Sequence, residues 1–198
     1  SLRWIDACFT IDEFAAGASR EGLPTQPRNA VYGDKVRLWS RMRVHRHFFP
    51  HWLDQPQLFA VPKVFGGPAW ESKGVEYLLL SAMSCSPNLL FYLPTKEGIP
   101  QGDKQILRRW MDWGRTNVKY LMVRKDLPDW PAAGKVDGSA HIVGDRGYVF
   151  LFNPNPQALD GTFPLTAEGI GLSGRGRFRV AQHSPASEER LTLDYGAE

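Results

Sequence analysis

Short apolar runs alternate with helical patterns over the first part of the chain. Residues 2–9 form an apolar run bounded by polar residues and predict a buried strand, and residues 10–13 supply capping chemistry for a short helix. Residues 31–49 are interpreted as helical. Residues 58–64 predict a second strand, with Pro62 better suited to its end than to its middle.

A helix, a strand and a longer helix follow in the same pattern. Residues 71–83 predict a buried helix, and residues 89–93 predict a strand ended by Pro94. Residues 103–121 place apolar side chains three and four residues apart, with Lys and Arg between them. This spacing predicts the clearest amphipathic helix in the chain.

The pattern changes after residue 130 to short apolar runs separated by Gly, Pro, Asn and Asp, which predicts antiparallel β-structure. The predicted strands cover residues 141–143, 148–152, 171–172, 177–180 and 190–193. Residues 144–147, Gly-Asp-Arg-Gly, predict a hairpin loop because they offer Gly and Asp where a positive φ is needed.

An α/β section followed by an all-β section is the order expected where a (β/α)8 barrel ends and a β-sandwich is appended. The sequence therefore predicts the last units of a barrel in residues 1–123 and a C-terminal antiparallel β-sandwich domain in residues 124–198. A whole barrel needs about 250 residues. Either the earlier units lie outside this chain or the fold is a smaller one.

Composition excludes several classes of protein. Hydrophobic residues make up 42% and charged residues 23%, which is enough apolar material for a folded core. The formal net charge of +3 comes from Lys and Arg spread along the chain, which argues against a nucleic-acid partner. No stretch approaches the ~20 apolar residues of a membrane helix, so we predict no membrane partner.

Recognised cofactor and metal motifs are missing from the sequence. Cys8 and Cys85 are the two cysteines, too few for a disulfide scaffold or a CxxC metal site, and they allow at most one disulfide. His45, His47 and His51 resemble a metal pattern, but no carboxylate or cysteine follows at ligand spacing. We therefore expect no metal and no cofactor.

Three stretches resemble α-galactosidase-like glycoside hydrolases of families 36 and 27 and their relatives. They are residues 77–94, the helix that contains Trp110 and Trp113, and residues 138–154 with the run Gly-Tyr-Val-Phe-Leu-Phe-Asn-Pro. They resemble the last barrel strand, the last barrel helix and the first sandwich strands of that family. The resemblance implies a retaining hydrolase that acts on a carbohydrate.

In the family that the chain resembles, two Asp carboxylates do the chemistry. One attacks the anomeric carbon, and the other protonates the leaving oxygen and then activates water. The resemblance implies that the nucleophile strand precedes Ser1, so the chain alone is expected to be inactive. Asp6, at the C-terminal end of the first predicted strand, is the candidate acid/base. Asp12 is a weaker candidate, with helix capping as its alternative role.

Four further residues are candidate sugar contacts. They are Trp4, Asp34, Trp70 and Tyr92. Core packing is the alternative role of the three aromatic residues, and a helix-start carboxylate favoured by the helix dipole is the alternative for Asp34.

The alternative function is a non-catalytic carbohydrate-binding or scaffold domain. Part of a barrel exposes apolar strand edges and helix faces. We therefore expect self-association or pairing with the missing N-terminal barrel half.

Overall fold

The computed structural model describes residues 32–45, 57–59, 73–92, 101–173, 176–185 and 188–195. The helices in these residues are α1 (Tyr32–His45), α2 (Gly74–Met83), α3 (Gln101–Thr116), α4 (Val118–Leu121) and α5 (Ala167–Ile170). The strands are β1 (Gln57–Phe59), β2 (Leu90–Tyr92), β3 (Lys125–Asp126), β4 (Asp137–Val143), β5 (Arg146–Phe152), β6 (Gly176–Gln182) and β7 (Glu188–Tyr195).

Strands β1 and β2 run parallel and are joined through α2. Leu58 pairs with Phe91, and the register holds over all three residues of each strand. Parallel neighbours need a crossover connection, which α2 supplies. The predicted helix at 71–83 and the predicted strands at 58–64 and 89–93 are confirmed in type, with shorter bounds.

Helix α2 lies against α1 at close range. A Cβ added at Gly33 of α1 would lie 2.8 Å from the Ser81 Oγ of α2, so the absence of a side chain lets the helices approach. Leu79 and Ala82 of α2 are almost fully buried. The helical interpretation of residues 31–49 is confirmed over α1.

Helix α3 buries one face and exposes the other, as its sequence pattern predicts. Trp110 is buried, and Ile106, Leu107 and Trp113 pack against the same core. The predicted helix at 103–121 is interrupted at Asn117, which has φ −109° and ψ 16°. The Asn117 side chain donates to the Trp113 carbonyl at 2.9 Å and accepts from the Tyr148 hydroxyl at 2.8 Å.

Strands β3, β4 and β5 form an antiparallel sheet in that order. Val143 pairs with Arg146, so Gly144 and Asp145 alone form the turn between β4 and β5. Gly144 has φ +68°, a conformation that favours glycine. The predicted hairpin is confirmed, with a turn two residues shorter than the predicted loop.

The segment before β6 differs from its prediction. Residues 171–172 are not a strand; Gly171 ends the short helix α5 in the left-handed conformation, with φ 79°. Thr166 begins this helix by accepting a hydrogen bond from the Gly169 backbone at 2.8 Å. Strands β6 and β7 then pair antiparallel, as predicted.

The main hydrophobic core joins residues on both sides of position 123. Leu79 and Met83 of α2, together with Trp110, belong to the same cluster as Phe150 and Phe152 of β5. The described strands lie in three sheets of two, three and two strands. The barrel and the sandwich therefore stay predictions. None of the described helices is long and apolar enough to cross a membrane.

Candidate functional site

The most extensively bonded polar group in the described residues is the Arg37 guanidinium. Its Nε and Nη2 donate to the two Asp137 carboxylate oxygens at 2.7 and 2.8 Å. Its Nη2 also donates to Asp34 Oδ1 at 2.9 Å, and its Nη1 donates to Ser81 Oγ at 2.6 Å. The Tyr77 hydroxyl donates to Asp34 Oδ1 at 2.6 Å. We call these five residues the Arg37 cluster.

Three elements bring the Arg37 cluster together. Asp34 and Arg37 lie three residues apart on α1, and Tyr77 and Ser81 lie four apart on α2, so each pair shares a helix face. Asp137 is the first residue of β4, 100 positions from Arg37. The cluster therefore ties the first predicted domain to the second.

The charged groups of the Arg37 cluster are closed to solvent. Asp34 is 0% exposed, Asp137 2% and Arg37 4%. The Arg37 guanidinium also lies over the Phe152 ring, 4.0 Å from its centroid. A buried ion pair of this kind is stable only when its remaining polar atoms are also bonded, which is the case here.

Burial sets the electrostatics of the cluster. It raises the pKa of Asp137 above its usual value, and the Arg37 charge opposes that rise. Burial also raises the pKa of Tyr77, so its hydroxyl stays protonated. Burial works to lower the pKa of Arg37, but the neighbouring Asp137 and Asp34 carboxylates raise it well above its usual value. Arg37 is therefore a permanent cation.

A second arginine of α1 holds the segment that leads to β4. Arg41 donates to the carbonyl oxygens of Leu127 and Asp129 and, at 3.3 Å, to that of Pro128. Its guanidinium lies over the Trp130 ring, 4.7 Å from the centroid. One side chain thus satisfies three carbonyls of a turn.

Arg124 extends this arrangement beyond α4. Its Nε donates to Asp126 Oδ1 at 2.8 Å, and its Nη1 donates to Ser40 Oγ of α1. A cavity of about 10 Å³ lies among the three arginines, lined also by Ser84, Asp126, Pro131, Asp137, Gly138 and Ser139. That volume is at the lower limit for one water molecule and far below that of a sugar ring.

Ser139 and His141 resemble part of a nucleophilic site but lack its other requirements. Ser139 Oγ and His141 Nε2 lie 2.9 Å apart. The residues are only 3% and 0% exposed, and no hydrogen-bond partner of His141 Nδ1 is found in the described part of the chain. Nucleophilic catalysis needs access for substrate and a group that orients the base. Burial, then the Arg124 charge, lowers the pKa of His141 to about 4, so its ring is neutral at pH 7.

A partly exposed carboxylate joins α2 to α3 and to the loop after β6. Glu76 Oε1 accepts from Arg109 Nη2 at 2.6 Å, from Trp110 Nε1 at 2.9 Å and from Ser184 Oγ at 2.9 Å. These three donors fix the side chain. Glu76 therefore works as a connection between elements.

The structure places the sequence-predicted site residues as follows. Asp6, Asp12, Trp4 and Trp70 lie outside the described residues. Tyr92 is the last residue of β2, opposite Phe59. Asp34 lies in the first turn of α1, the position of a helix-start carboxylate, and its carboxylate is fully buried in the Arg37 cluster.

Metal ligation has no support in the residues described. They contain no group of three or more His, Cys, Asp or Glu side chains that could hold an ion. His47 and His51 of the histidine pattern lie outside them, and His45 is the last residue of α1.

Arg37 and Asp137 are absent from the sequence-predicted set. The only local signal for Arg37 is its position three residues after Asp34, a spacing that usually marks an exposed helix pair. Asp137 begins a strand with no partner nearby in sequence. Their pairing depends on tertiary contacts that no local pattern contains.

Compared with protein-family models, with curated proteins and with solved structures, the chain has no match.

Proposed function

We propose that this chain forms the closing part of a retaining glycoside hydrolase of the α-galactosidase type, and that it is inactive without the preceding barrel strands. The observation that carries the proposal is the parallel pairing of β1 and β2 through α2. A strand, a helix and a parallel strand form the repeating unit of a β/α barrel. Helix α3 and the antiparallel sheet follow in the order expected at the end of such a barrel.

The packing of the antiparallel sheet supports the same assignment. Phe150 and Phe152 of β5 share the core of α2 and α3. The Arg37 cluster and the Arg41 contacts fasten this junction with buried polar bonds. Such a junction keeps the barrel end rigid, which a catalytic site on the barrel requires.

Strand direction sets the side on which substrate would bind. In β/α barrels the chemistry lies at the C-terminal ends of the strands. Tyr92 ends β2 on that side, where a ring can stack on a sugar, and Trp4 and Trp70 are proposed for the same role. Asp34 belongs to the support of the site in this proposal, because its carboxylate has no exposed surface.

The proposed reaction is a double displacement. A nucleophilic carboxylate on an earlier strand attacks the anomeric carbon while the Asp6 carboxylic acid protonates the departing oxygen. The Asp6 carboxylate then takes a proton from water, which attacks the glycosyl ester and releases the sugar with retained configuration. Asp12 is the second choice for the acid/base.

The test compares two α-galactosides with different leaving groups. The natural gene product containing this chain is assayed with a nitrophenyl α-galactoside and with an α-galactosyl disaccharide. Asp6→Asn should slow the disaccharide by roughly 10²–10⁴-fold, the usual contribution of a general acid, and slow the aryl substrate less because its leaving group needs no proton. Azide should restore turnover of the aryl substrate, since it attacks the intermediate without a base.

Two controls accompany this assay. Asp145→Asn changes a carboxylate in the exposed β4–β5 turn and should leave both rates unchanged. The 198-residue chain alone should show no turnover. Robust turnover by this chain alone, abolished by Asp6→Asn, would overturn the claim that the nucleophile lies on an earlier strand.

One observation favours a non-catalytic carbohydrate-binding or scaffold domain as a second candidate. The charged groups of the Arg37 cluster are buried, and the cavity of about 10 Å³ beside it is too small for a sugar, so the cluster supports the fold and does not bind substrate. Saturable binding of an α-galactoside by the gene product, with no turnover of either substrate, would favour this second candidate.

A further inference from the structure

Residues 101–121, which include α3 and α4, carry more positive than negative side chains. They hold five Lys and Arg against two Asp, an excess of three positive charges. The cations are not contiguous in the sequence. Helical periodicity brings them together only when α3 forms.

Three of these cations share a face of α3. Arg108 follows Lys104 by four residues and Arg115 follows Arg108 by seven, spacings that place all three on one side of a helix. All three side chains are exposed. At ~1.5 Å per residue they span about 16 Å along the helix axis. We call these three residues the basic face.

Local carboxylates leave most of this charge uncompensated. Asp112 lies 3.0 Å from Arg115, but both side chains are mostly exposed, so the pair is weak and readily exchanged. In the part of the chain that the structure describes, no ion pair is found for Lys104 or Arg108. The basic face is therefore available to an external anion.

The opposite face of α3 determines what kind of partner fits. Ile106, Leu107, Trp110 and Trp113 pack into the main core. A helix that lies in a membrane surface must insert its apolar side into lipid. Because that side of α3 is occupied, a partner meets the charged side chains alone.

We propose that the basic face binds an anionic polysaccharide, which would make the substrate of the proposed hydrolase a charged glycan; the assignment of the polymer rests on the proposed function. Two of the three cations are arginines, whose planar guanidinium binds carboxylate or sulfate groups with two parallel hydrogen bonds. A linear polymer with repeated negative groups can contact all three positions at once. A neutral polymer would gain no ionic attraction from them.

The test is electrophoresis of the full chain in native gels that contain polygalacturonate, with dextran gels as the neutral reference. The wild-type chain should be retarded by polygalacturonate, and the Lys104→Gln/Arg108→Gln/Arg115→Gln variant should not. Three ionic contacts also predict a salt dependence: the affinity of the wild-type chain should fall roughly tenfold or more between 50 and 200 mM salt.

A matched variant controls for net charge. Lys135→Gln/Arg146→Gln/Arg179→Gln removes three exposed cations from other surfaces and should keep the retardation. Both variants should keep the wild-type circular dichroism spectrum. Equal retardation of the wild type and the basic-face variant would overturn the proposal, as would binding to duplex DNA or anionic vesicles without binding to polygalacturonate.

The outcome is separable from that of the proposed function. A small neutral nitrophenyl α-galactoside has no charge for the basic face to contact, so its turnover tests the catalytic proposal alone. Turnover without polygalacturonate binding removes only the present inference. Polygalacturonate binding by the chain, with no turnover by the natural gene product, supports the basic face and counts against the hydrolase.

Discussion

Replacing Arg37 with methionine should destabilise the fold by about 4 kcal/mol at pH 7. Removing one partner of a buried ion pair costs about 3–5 kcal/mol. Here Asp34 and Asp137 lose their cation together, at 0% and 2% exposure. Methionine fills a similar volume, so the loss reports mainly on charge and hydrogen bonds. Asp34 keeps its bond from Tyr77, which holds the loss near the middle of that range.

The loss of stability caused by Arg37→Met should depend on pH. Burial already raises the pKa of Asp137, and removal of Arg37 takes away the charge that opposes this rise. A carboxyl group whose pKa is raised in the folded state contributes stability that is lost as the pH increases through that pKa. The difference between Arg37→Met and wild type should therefore be larger at pH 8 than at pH 5.

Urea unfolding followed by circular dichroism and tryptophan fluorescence measures this free energy by linear extrapolation. Asp137→Asn is the milder variant and should cost about 2 kcal/mol, since it keeps shape and one acceptor. Arg146→Met, at a side chain 80% exposed, is the control and should stay within about 0.5 kcal/mol. A loss below about 1 kcal/mol for Arg37→Met would refute the role given to this cluster.

Three further predictions concern stability and assembly. Burial and the Arg124 charge lower the pKa of His141 to about 4, against about 6.5 in the unfolded chain, so the free energy of unfolding should fall by about 3 kcal/mol as the pH drops from 6.5 to 4. In urea unfolding measured over this pH range, His141→Gln should reduce the fall, and parallel curves for variant and wild type would contradict the prediction. Gly138→Ala should lower the stability measured by thermal unfolding by about 2 kcal/mol or more, because the added Cβ would lie 2.0 Å from the Phe150 carbonyl oxygen. Gly102→Ala is the control: its Cβ has nothing within 4 Å and should be neutral or stabilising, so equal shifts in melting temperature for the two variants would refute the argument. Light scattering should detect self-association of the chain, and a stable, well-folded monomer would count against a partial barrel.

Element types could be predicted from the sequence where one periodicity dominates. Residues 103–121 carry an apolar stripe at helical spacing, and α3 forms there. The β4–β5 hairpin is also marked by a local pattern, the Gly-Asp turn between two apolar runs. The break at Asn117 was not predicted; its side chain bonds locally to the Trp113 carbonyl and also to Tyr148 of β5, a contact that no local pattern contains.

The buried polar contacts are the part that local patterns miss. Asp34 has the position of a helix-start carboxylate, and a local argument assigns it to the helix dipole or to a ligand. Its full burial follows from Arg37, whose other carboxylate partner lies 100 residues away. Residues 171–172 were wrongly predicted as a strand: Gly171 ends helix α5, and its apolar neighbour Leu172 made the helix end resemble a strand.

The bonding of Arg37 also constrains how the protein can change over evolution. Replacement of Asp137 alone leaves the buried Arg37 cation with one carboxylate in place of two, and replacement of Arg37 alone leaves two buried carboxylates without their cation. Homologous chains that lack this pair should therefore carry changes at both positions, for example two apolar residues of matching volume. We therefore expect positions 34, 37 and 137 to covary when homologous chains are aligned, which would mark the contact before any coordinates are known.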